Sequence, residues 1–122
     1  MKPQRIARID HEVQRVLSAL ITQELKDPRL GFVTVTRVEV SDDLHQCKVF
    51  VSVIGSREQA SRSLQALDHA SGFLRGELGH RIDLRHTPEI VFVEDRSTER
   101  AIELAKRLRA DAERRESAER AE

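Results

Sequence analysis

Apolar side chains in the first quarter of the chain recur at spacings of three and four, from Ile9 through Ile21. This spacing predicts an amphipathic helix over residues 5–26 with a single apolar face. Beyond it, Pro28 disfavours helical backbone at the residue before it, and Gly31 permits a turn. We therefore expect the first helix to end just before Pro28.

Alternation of apolar and polar positions replaces the helical spacing over the next two segments. Residues 32–40 are rich in Val and Thr, and in residues 47–53 every second side chain is Val or Cys. The connection, residues 41–44, is short and turn-forming, so the pattern predicts an antiparallel hairpin. If the valines and Cys47 face the core, Phe50 points to the other face, where it lies under a neighbouring segment or stacks on a base.

Helical spacing returns after Ser56, a plausible N-cap, and continues to Ile82 through three glycines. Gly72, Gly76 and Gly79 fall within eight positions, and each glycine inside a helix costs about 1 kcal/mol relative to alanine. The pattern therefore predicts two helices joined by a bend. Backbone N–H groups at the start of the second helix would suit a phosphate.

The end of the chain predicts one more strand and one more helix. Residues 90–93 form a buried-looking strand, and Asp95, Ser97 and Thr98 offer caps for a helix. Its thin apolar stripe consists of Ile102, Ala105, Leu108 and Ala112. From residue 109 onward Arg, Glu, Asp and Ala predominate, so we divide the chain into one domain, 1–108, and a charged tail, 109–122, that is a frayed helix or disordered.

The predicted order is helix, two strands, helix, bend, helix, strand and a C-terminal helix. Three strands with these helices on one side give a two-layer α+β domain. The chain of 122 residues carries 21 basic and 21 acidic side chains, which argues against a nucleic-acid binder, but residues 1–37 hold a local excess of three positive charges. A single cysteine, Cys47, and the lack of a long apolar run indicate the cytosol and no membrane segment.

Six segments, in order, resemble the bacterial ribosome-binding factor A family. They are residues 5–16, Lys-Asp-Pro-Arg-Leu-Gly at 26–31, residues 38–44 and 48–52, Ala-Ser-Gly-Phe-Leu-Arg at 70–75, and residues 85–92. The resemblance, which spans about residues 5–108, implies a type II KH-like fold in which an Ala-x-Gly bend replaces the usual Gly-x-x-Gly loop. It also implies a non-enzymatic assembly factor that binds the immature small ribosomal subunit and aids late rRNA processing and folding, with importance in the cold.

Two glycine motifs compete for the phosphate-binding role. Gly76-Glu77-Leu78-Gly79 spells Gly-x-x-Gly, but Glu77 would repel a phosphate and Leu78 fits the apolar stripe, so we favour Ala70-Ser71-Gly72. Arg75 lies one turn beyond that bend with no acidic residue four positions on, and a salt bridge to Asp83 or Glu89 is as plausible for Arg81 and Arg85 as a phosphate contact. The candidate RNA-binding residues are Arg5, Arg8, Arg15, Lys26, Arg29, Ala70, Ser71, Gly72, Arg75, Arg81 and Arg85.

Other chemistry finds little support in the sequence. The five histidines are scattered, Glu77-x-x-His80 has no second pair, and no phosphate-binding Gly-rich loop or nucleophile turn is present. We therefore expect a monomer that is not an enzyme, with no cofactor, metal or small-molecule substrate. The alternative function is a protein-interaction module whose charged C-terminal helix pairs with a partner helix, while the basic residues merely solvate the surface.

Overall fold

The computed structural model describes residues 4–121. In chain order it forms α1 (Gln4–Gln23), β1 (Phe32–Val40), β2 (Gln46–Ile54), α2 (Arg57–His69), α3 (Ser71–Arg81), β3 (Glu89–Glu94) and α4 (Ser97–Ala121). This order is the predicted one.

Helix α1 buries the apolar face that its spacing predicts. The buried side chains are Ile6, Val13, Val16, Leu17, Leu20 and Ile21. The helix ends at Gln23, three residues earlier than predicted, because the N–H groups of Glu24 and Leu25 both donate to the carbonyl of Leu20, at 2.9 and 3.1 Å, and the chain leaves the helical path. The Asp10 carboxylate accepts the N–H of Val40 at 2.8 Å and thereby fixes α1 against β1.

The three strands form one sheet in the order β1-β2-β3. Strands β1 and β2 are antiparallel, as predicted, with a register shift between Val35 and Arg37, whereas β3 runs parallel to β2. Cys47 is buried on the core side, and Phe50 lies half-buried on the opposite face. The Arg37 guanidinium covers the Phe50 ring at 4.1 Å from its centroid, so this aromatic lies under a neighbouring side chain.

Helix α2 begins at a capping box, in which Ser56 accepts from the N–H of Gln59 and the Gln59 side chain accepts from the N–H of Ser56. It ends at His69, and α3 begins at Ser71, so the predicted division between two helices falls at Ala70. Leu67, Leu74 and Leu78 are fully buried in the core that α1, α2 and α3 form with one face of the sheet. The result is the predicted two-layer α+β arrangement.

Helix α4 stands apart from this core. It contains no buried residue, and the apolar Ile102, Leu104 and Leu108 are each more than half exposed. It continues without a break across residue 108, where the sequence suggested a domain boundary, so that division stays a prediction. The start of α4 is held by Asp95, which accepts the N–H of Ser97 at 2.9 Å and the hydroxyl of Thr36 at 2.7 Å.

Candidate nucleic-acid interface

The junction of α2 and α3 leaves backbone donors exposed. Ala70 is both the C-cap of α2 and the N-cap of α3, and it offers no side-chain acceptor to the first turn of α3. The N–H of Leu74 makes the first α3 hydrogen bond, to Ala70 O at 2.9 Å, so the N–H groups of residues 71–73 precede the intrahelical bonds of α3. A Cβ built at Gly72 would meet nothing within 4 Å, which leaves this first turn open to a ligand.

The literal Gly-x-x-Gly motif lies inside α3 and is not a loop. Leu78 is fully buried, as its place in the apolar stripe predicts. The Glu77 carboxylate lies 3.7 Å from Arg81 and 3.9 Å from His80. A segment of helix with its third residue in the core cannot wrap a phosphate as a loop does.

The glycine face of α3 instead lines a groove, which we call the α3 groove. Its lining residues are Gly72, Arg75, Gly76, Gly79, His80, Arg85, His86 and Thr87, around a cavity volume of about 630 Å³. These residues include two arginines, two histidines and no carboxylate. The α3 groove therefore favours an anionic ligand.

Arg75 has a partner that the sequence does not reveal. Its Nε and Nη2 donate to the carbonyl oxygen of Thr87, at 3.2 and 2.9 Å, in the segment before β3. This contact places the guanidinium on one wall of the α3 groove. Arg85 lies on the same groove and makes no ion pair with any residue in 4–121.

Arg81 is engaged with Glu24, just after α1, rather than with Asp83 or Glu89. Its Nη2 lies 2.9 and 3.0 Å from the two carboxylate oxygens of Glu24 and also approaches Glu77. The guanidinium is thus shared between two carboxylates, which reduces its availability to a phosphate.

The basic residues of the first segment divide into paired and unpaired side chains. Arg15 pairs with Glu12, and this hydrogen bond lowers the pKa of Glu12. Arg29 binds both oxygens of Asp27 through its Nε and Nη2, and with its backbone N–H it lowers the pKa of Asp27 to about 2.

Arg5 and Arg8 remain exposed without an ion pair inside the described range. They line a depression with residues 82–84, which follow α3, so the exposed start of α1 lies beside the end of α3. Lys26 is exposed in the turn after α1.

The structure brings seven of the eleven candidate residues together in two groups. Ala70, Ser71, Gly72, Arg75 and Arg85 lie along or beside the α3 groove. Arg5 and Arg8 lie at the other end of α3, where Arg81, the last residue of that helix, is bound to Glu24. The sequence analysis missed His80 and His86 as lining residues, although positions 72, 75, 76, 79 and 80 follow helical spacing and share one face of α3.

Further chemistry at these residues is limited. Within residues 4–121 no group of three or more His, Cys, Asp or Glu side chains could hold a metal ion. None of the described helices is long and apolar enough to span a bilayer.

The fold is that of a small KH-like α+β domain. The sequence matches the family model for ribosome-binding factor A over residues 5–108, and the chain belongs to that family. A ribosome-binding factor A of Desulfitobacterium hafniense is 52% identical over 109 residues, which cover 89% of this chain and 87% of that relative.

Solved structures agree with this assignment. The crystal structure of ribosome-binding factor A from Thermus thermophilus is 32% identical, with a TM-score of 0.66, over 75% of this chain and 98% of that one. A homology model of the Thermus thermophilus factor, fitted into a cryo-EM map of its complex with the 30S subunit, is 33% identical, with a TM-score of 0.62, and covers 75% of this chain and 96% of that model.

Proposed function

We propose that this protein binds the immature small ribosomal subunit, contacts its rRNA and aids late rRNA processing and maturation, especially in the cold. It acts without catalysis, as a cytoplasmic monomer. The observation that carries the proposal is membership of the ribosome-binding factor A family, together with a relative of the same fold whose coordinates were fitted into a complex with the 30S subunit.

The charge distribution supports RNA contact despite the zero net charge. Ion pairs neutralise many basic side chains, as for Arg15, Arg29 and Arg81, but leave Arg5, Arg8 and Arg85 unpaired within the described residues. Phosphate contacts by Arg and Lys supply most of the non-specific affinity for nucleic acids. A small number of unpaired arginines can therefore matter more than the overall charge balance.

An alternative is a protein-interaction module that acts through α4. The three exposed apolar side chains of α4, Ile102, Leu104 and Leu108, favour this reading, because they lie on a helix that the core does not cover. The two functions predict different effects of substitution on α4: replacement of Ile102, Leu104 and Leu108 by Gln should abolish the second function and spare the first.

Sedimentation with ribosomal subunits tests the proposal. The tagged protein should migrate with small subunits, most strongly with immature ones, and should dissociate as salt increases, because phosphate contacts release counterions. Cells that lack the protein should accumulate immature small subunits, and more so at low temperature, where misfolded RNA helices rearrange slowly. Normal rRNA processing in the cold, with no co-sedimentation, would exclude the proposal.

A further inference from the structure

Helix α4 carries a stripe of apolar side chains along one side, which we call the Leu–Ala stripe. At about 100° per residue its members fall within an arc of roughly 100°. They are Ala101, Leu104, Ala105, Leu108 and Ala112. The two leucines are 57% and 58% exposed, and α4 contains no buried residue. Nothing within residues 4–121 therefore covers the Leu–Ala stripe.

Arginines border this stripe on both sides. By the same helical spacing Arg107 lies beside one edge and Arg109 beside the other, and neither makes an ion pair in the part of the chain that the structure describes. The carboxylate nearest to the stripe, that of Asp111, is engaged by Arg114. Glu103 lies on the opposite side of the helix. A partner that covers the stripe thus meets positive charge along both edges, and negative charge on its own rim is favoured.

Charged contacts fix the base of α4 to the core. The guanidinium of Arg57, at the start of α2, binds both carboxylate oxygens of Glu94 at the end of β3 and lies 4.0 Å from Glu99 in the first turn of α4. Arg96 donates from Nε to Glu99 at 2.9 Å, and Asp95 caps the helix. These contacts hold the start of α4 in one direction, so the stripe is presented already ordered, which lowers the entropic cost of binding.

The composition of α4 decides what kind of molecule fits the stripe. Three of the five stripe residues are alanine, which lets another helix approach closely, whereas an interfacial membrane helix relies on larger apolar and aromatic side chains. The phosphates of RNA offer no apolar surface to Leu104 and Leu108. A second copy of α4 would set arginine against arginine along the edges, in either relative direction of the two helices, and these charges repel.

We infer that α4 is a recognition helix for an acidic protein partner, which covers the Leu–Ala stripe with the apolar face of a helix and meets Arg107 and Arg109 with Asp or Glu side chains. Protein grooves and helices recognise amphipathic helices through apolar residues at i, i+3, i+4 and i+7, the spacing of residues 101, 104, 105 and 108. The inference goes beyond the proposed function, because it assigns a protein ligand to a surface that subunit binding does not use.

Fluorescence anisotropy with the full chain and synthetic helices tests the inference. The probe is a labelled peptide of about four heptads with Leu at the a and d positions and Glu at the flanking e and g positions, and the comparison peptide has Lys at e and g. We expect the Lys peptide to bind at least about 10-fold more weakly than the Glu peptide. Leu104→Gln combined with Leu108→Gln should weaken binding of the Glu peptide by about 10-fold or more, because two apolar contacts are lost.

A matched pair of variants tests the charged edges. Arg107→Gln should weaken binding of the Glu peptide by about 2-fold or more, whereas Lys106→Gln, the same loss of charge on the back of the helix, should leave it nearly unchanged. Arg107→Glu combined with Arg109→Glu should reverse the preference, so that the Lys peptide binds better. Circular dichroism checks that each variant keeps the helix content of the wild type.

The outcomes separate this inference from the proposed function. Equal binding of the two peptides, or Glu-peptide binding that survives the double leucine substitution, overturns the inference. Binding to phosphatidylglycerol vesicles that is tighter than to the Glu peptide and depends on the same leucines also overturns it, in favour of a membrane. The double leucine variant should co-sediment with small subunits as the wild type does, and loss of co-sedimentation would place α4 in the subunit interface instead. A wild type that does not co-sediment removes the proposed function, and the peptide series alone then decides the inference about α4.

Discussion

Arg75 of α3 and Thr87 of the segment before β3 are joined by two hydrogen bonds, in which the guanidinium Nε and Nη2 donate to one main-chain oxygen at 3.2 and 2.9 Å. The contact fixes α3 to the segment that leads into β3, which is an edge strand of the sheet. It uses two of the five N–H donors of the guanidinium. The same side chain can therefore stabilise the fold and offer its remaining donors to a phosphate.

Removal of this contact should destabilise the protein. We expect Arg75→Gln to lower the free energy of unfolding by about 1 kcal/mol, because the Thr87 carbonyl is deprived of its two donors. Urea denaturation measures the effect. Arg62→Gln is the control, since Arg62 makes only an exposed pair with Glu58 at 3.8 Å and should change stability by less than about 0.5 kcal/mol. Equal stabilities of the two variants would show that the Arg75 contact contributes nothing.

The two glycines of the literal Gly-x-x-Gly should respond differently to alanine. Gly76→Ala should raise stability by up to about 1 kcal/mol, because alanine favours the helix and its Cβ meets nothing within 4 Å. At Gly79 a Cβ would lie 2.6 Å from Oγ1 of Thr87, so the gain should be cancelled or reversed.

Melting temperatures of the two single variants test this difference. Gly79 has helical backbone, so the constraint on a side chain there is the Thr87 hydroxyl. A Gly79→Ala variant as stable as Gly76→Ala would show that Thr87 moves aside without cost.

A charge at the bend should act on binding rather than on folding. Gly72→Asp should sharply reduce co-sedimentation with small subunits, because its carboxylate would stand beside the exposed N–H groups of the first turn of α3. Gly72→Asn, of nearly the same size and uncharged, should reduce it much less. If both variants bind as the wild type, the bend lies outside the interface.

The unpaired arginines of α1 should carry phosphate contacts that the paired one does not. Arg5→Gln with Arg8→Gln should weaken subunit binding and lower its salt slope, by somewhat under one unit for each phosphate that is no longer neutralised. Arg15→Gln should have a smaller effect, because the Arg15 guanidinium is already engaged by Glu12. A double substitution of Lys106 and Arg107 to Gln, on α4, controls for net charge. An unchanged slope in the Arg5/Arg8 variant would remove α1 from the interface.

Asp95 should make stability depend on pH in the acidic range. Hydrogen bonds from the side chain and N–H of Ser97, and from Thr36, lower its pKa to about 2, compared with about 3.9 in an unfolded chain. A lowered pKa stabilises the folded state above pH 4, and this contribution disappears as the pH falls towards 2.

The difference in urea midpoint between the wild type and Asp95→Asn should therefore be largest at neutral pH and should shrink between pH 4 and 2. The stability of Asp95→Asn itself still depends on pH, because Asp27 also has a pKa of about 2. Asp42→Asn, at an exposed turn position, is the matched control. A difference that stays constant with pH would show that Asp95 acts without its charge.

Truncation after residue 109 should leave the core unchanged, because none of the removed residues that the structure describes is buried. Near-identical urea midpoints for the full and shortened chains would confirm this. A stable truncated chain that no longer binds subunits would favour the interaction-module alternative.

Local patterns predicted most of the fold. Alternation located β1 with the observed bounds, 32–40, and the glycines indicated the division between α2 and α3. Such features depend on neighbours within a few positions. The end of α1 was predicted three residues too late. The N–H groups of Glu24 and Leu25 both donate to the carbonyl of Leu20, so the helix ends ahead of Pro28.

The partners of the basic residues could not be predicted, because they depend on how distant elements pack. Arg81 meets Glu24 across 57 positions, and His45 meets His86 only because β3 lies parallel to β2. A sequence shows which faces a helix has but not which face of another element lies beside them. The α3 groove, built from α3 and the segment before β3, is therefore visible only in the folded chain.

Helix α4 has a consequence for how the molecule unfolds. It spans 25 residues, buries none of them, and is supported along its length by local ion pairs such as Arg114 with Asp111 and Arg120 with Glu116. Short-range support of this kind gives a gradual helix–coil transition, whereas the packed core melts cooperatively. Heating should thus remove helical signal in two stages, a broad early one from α4 and a sharp later one from the core, so a single melting temperature read from helicity would describe neither.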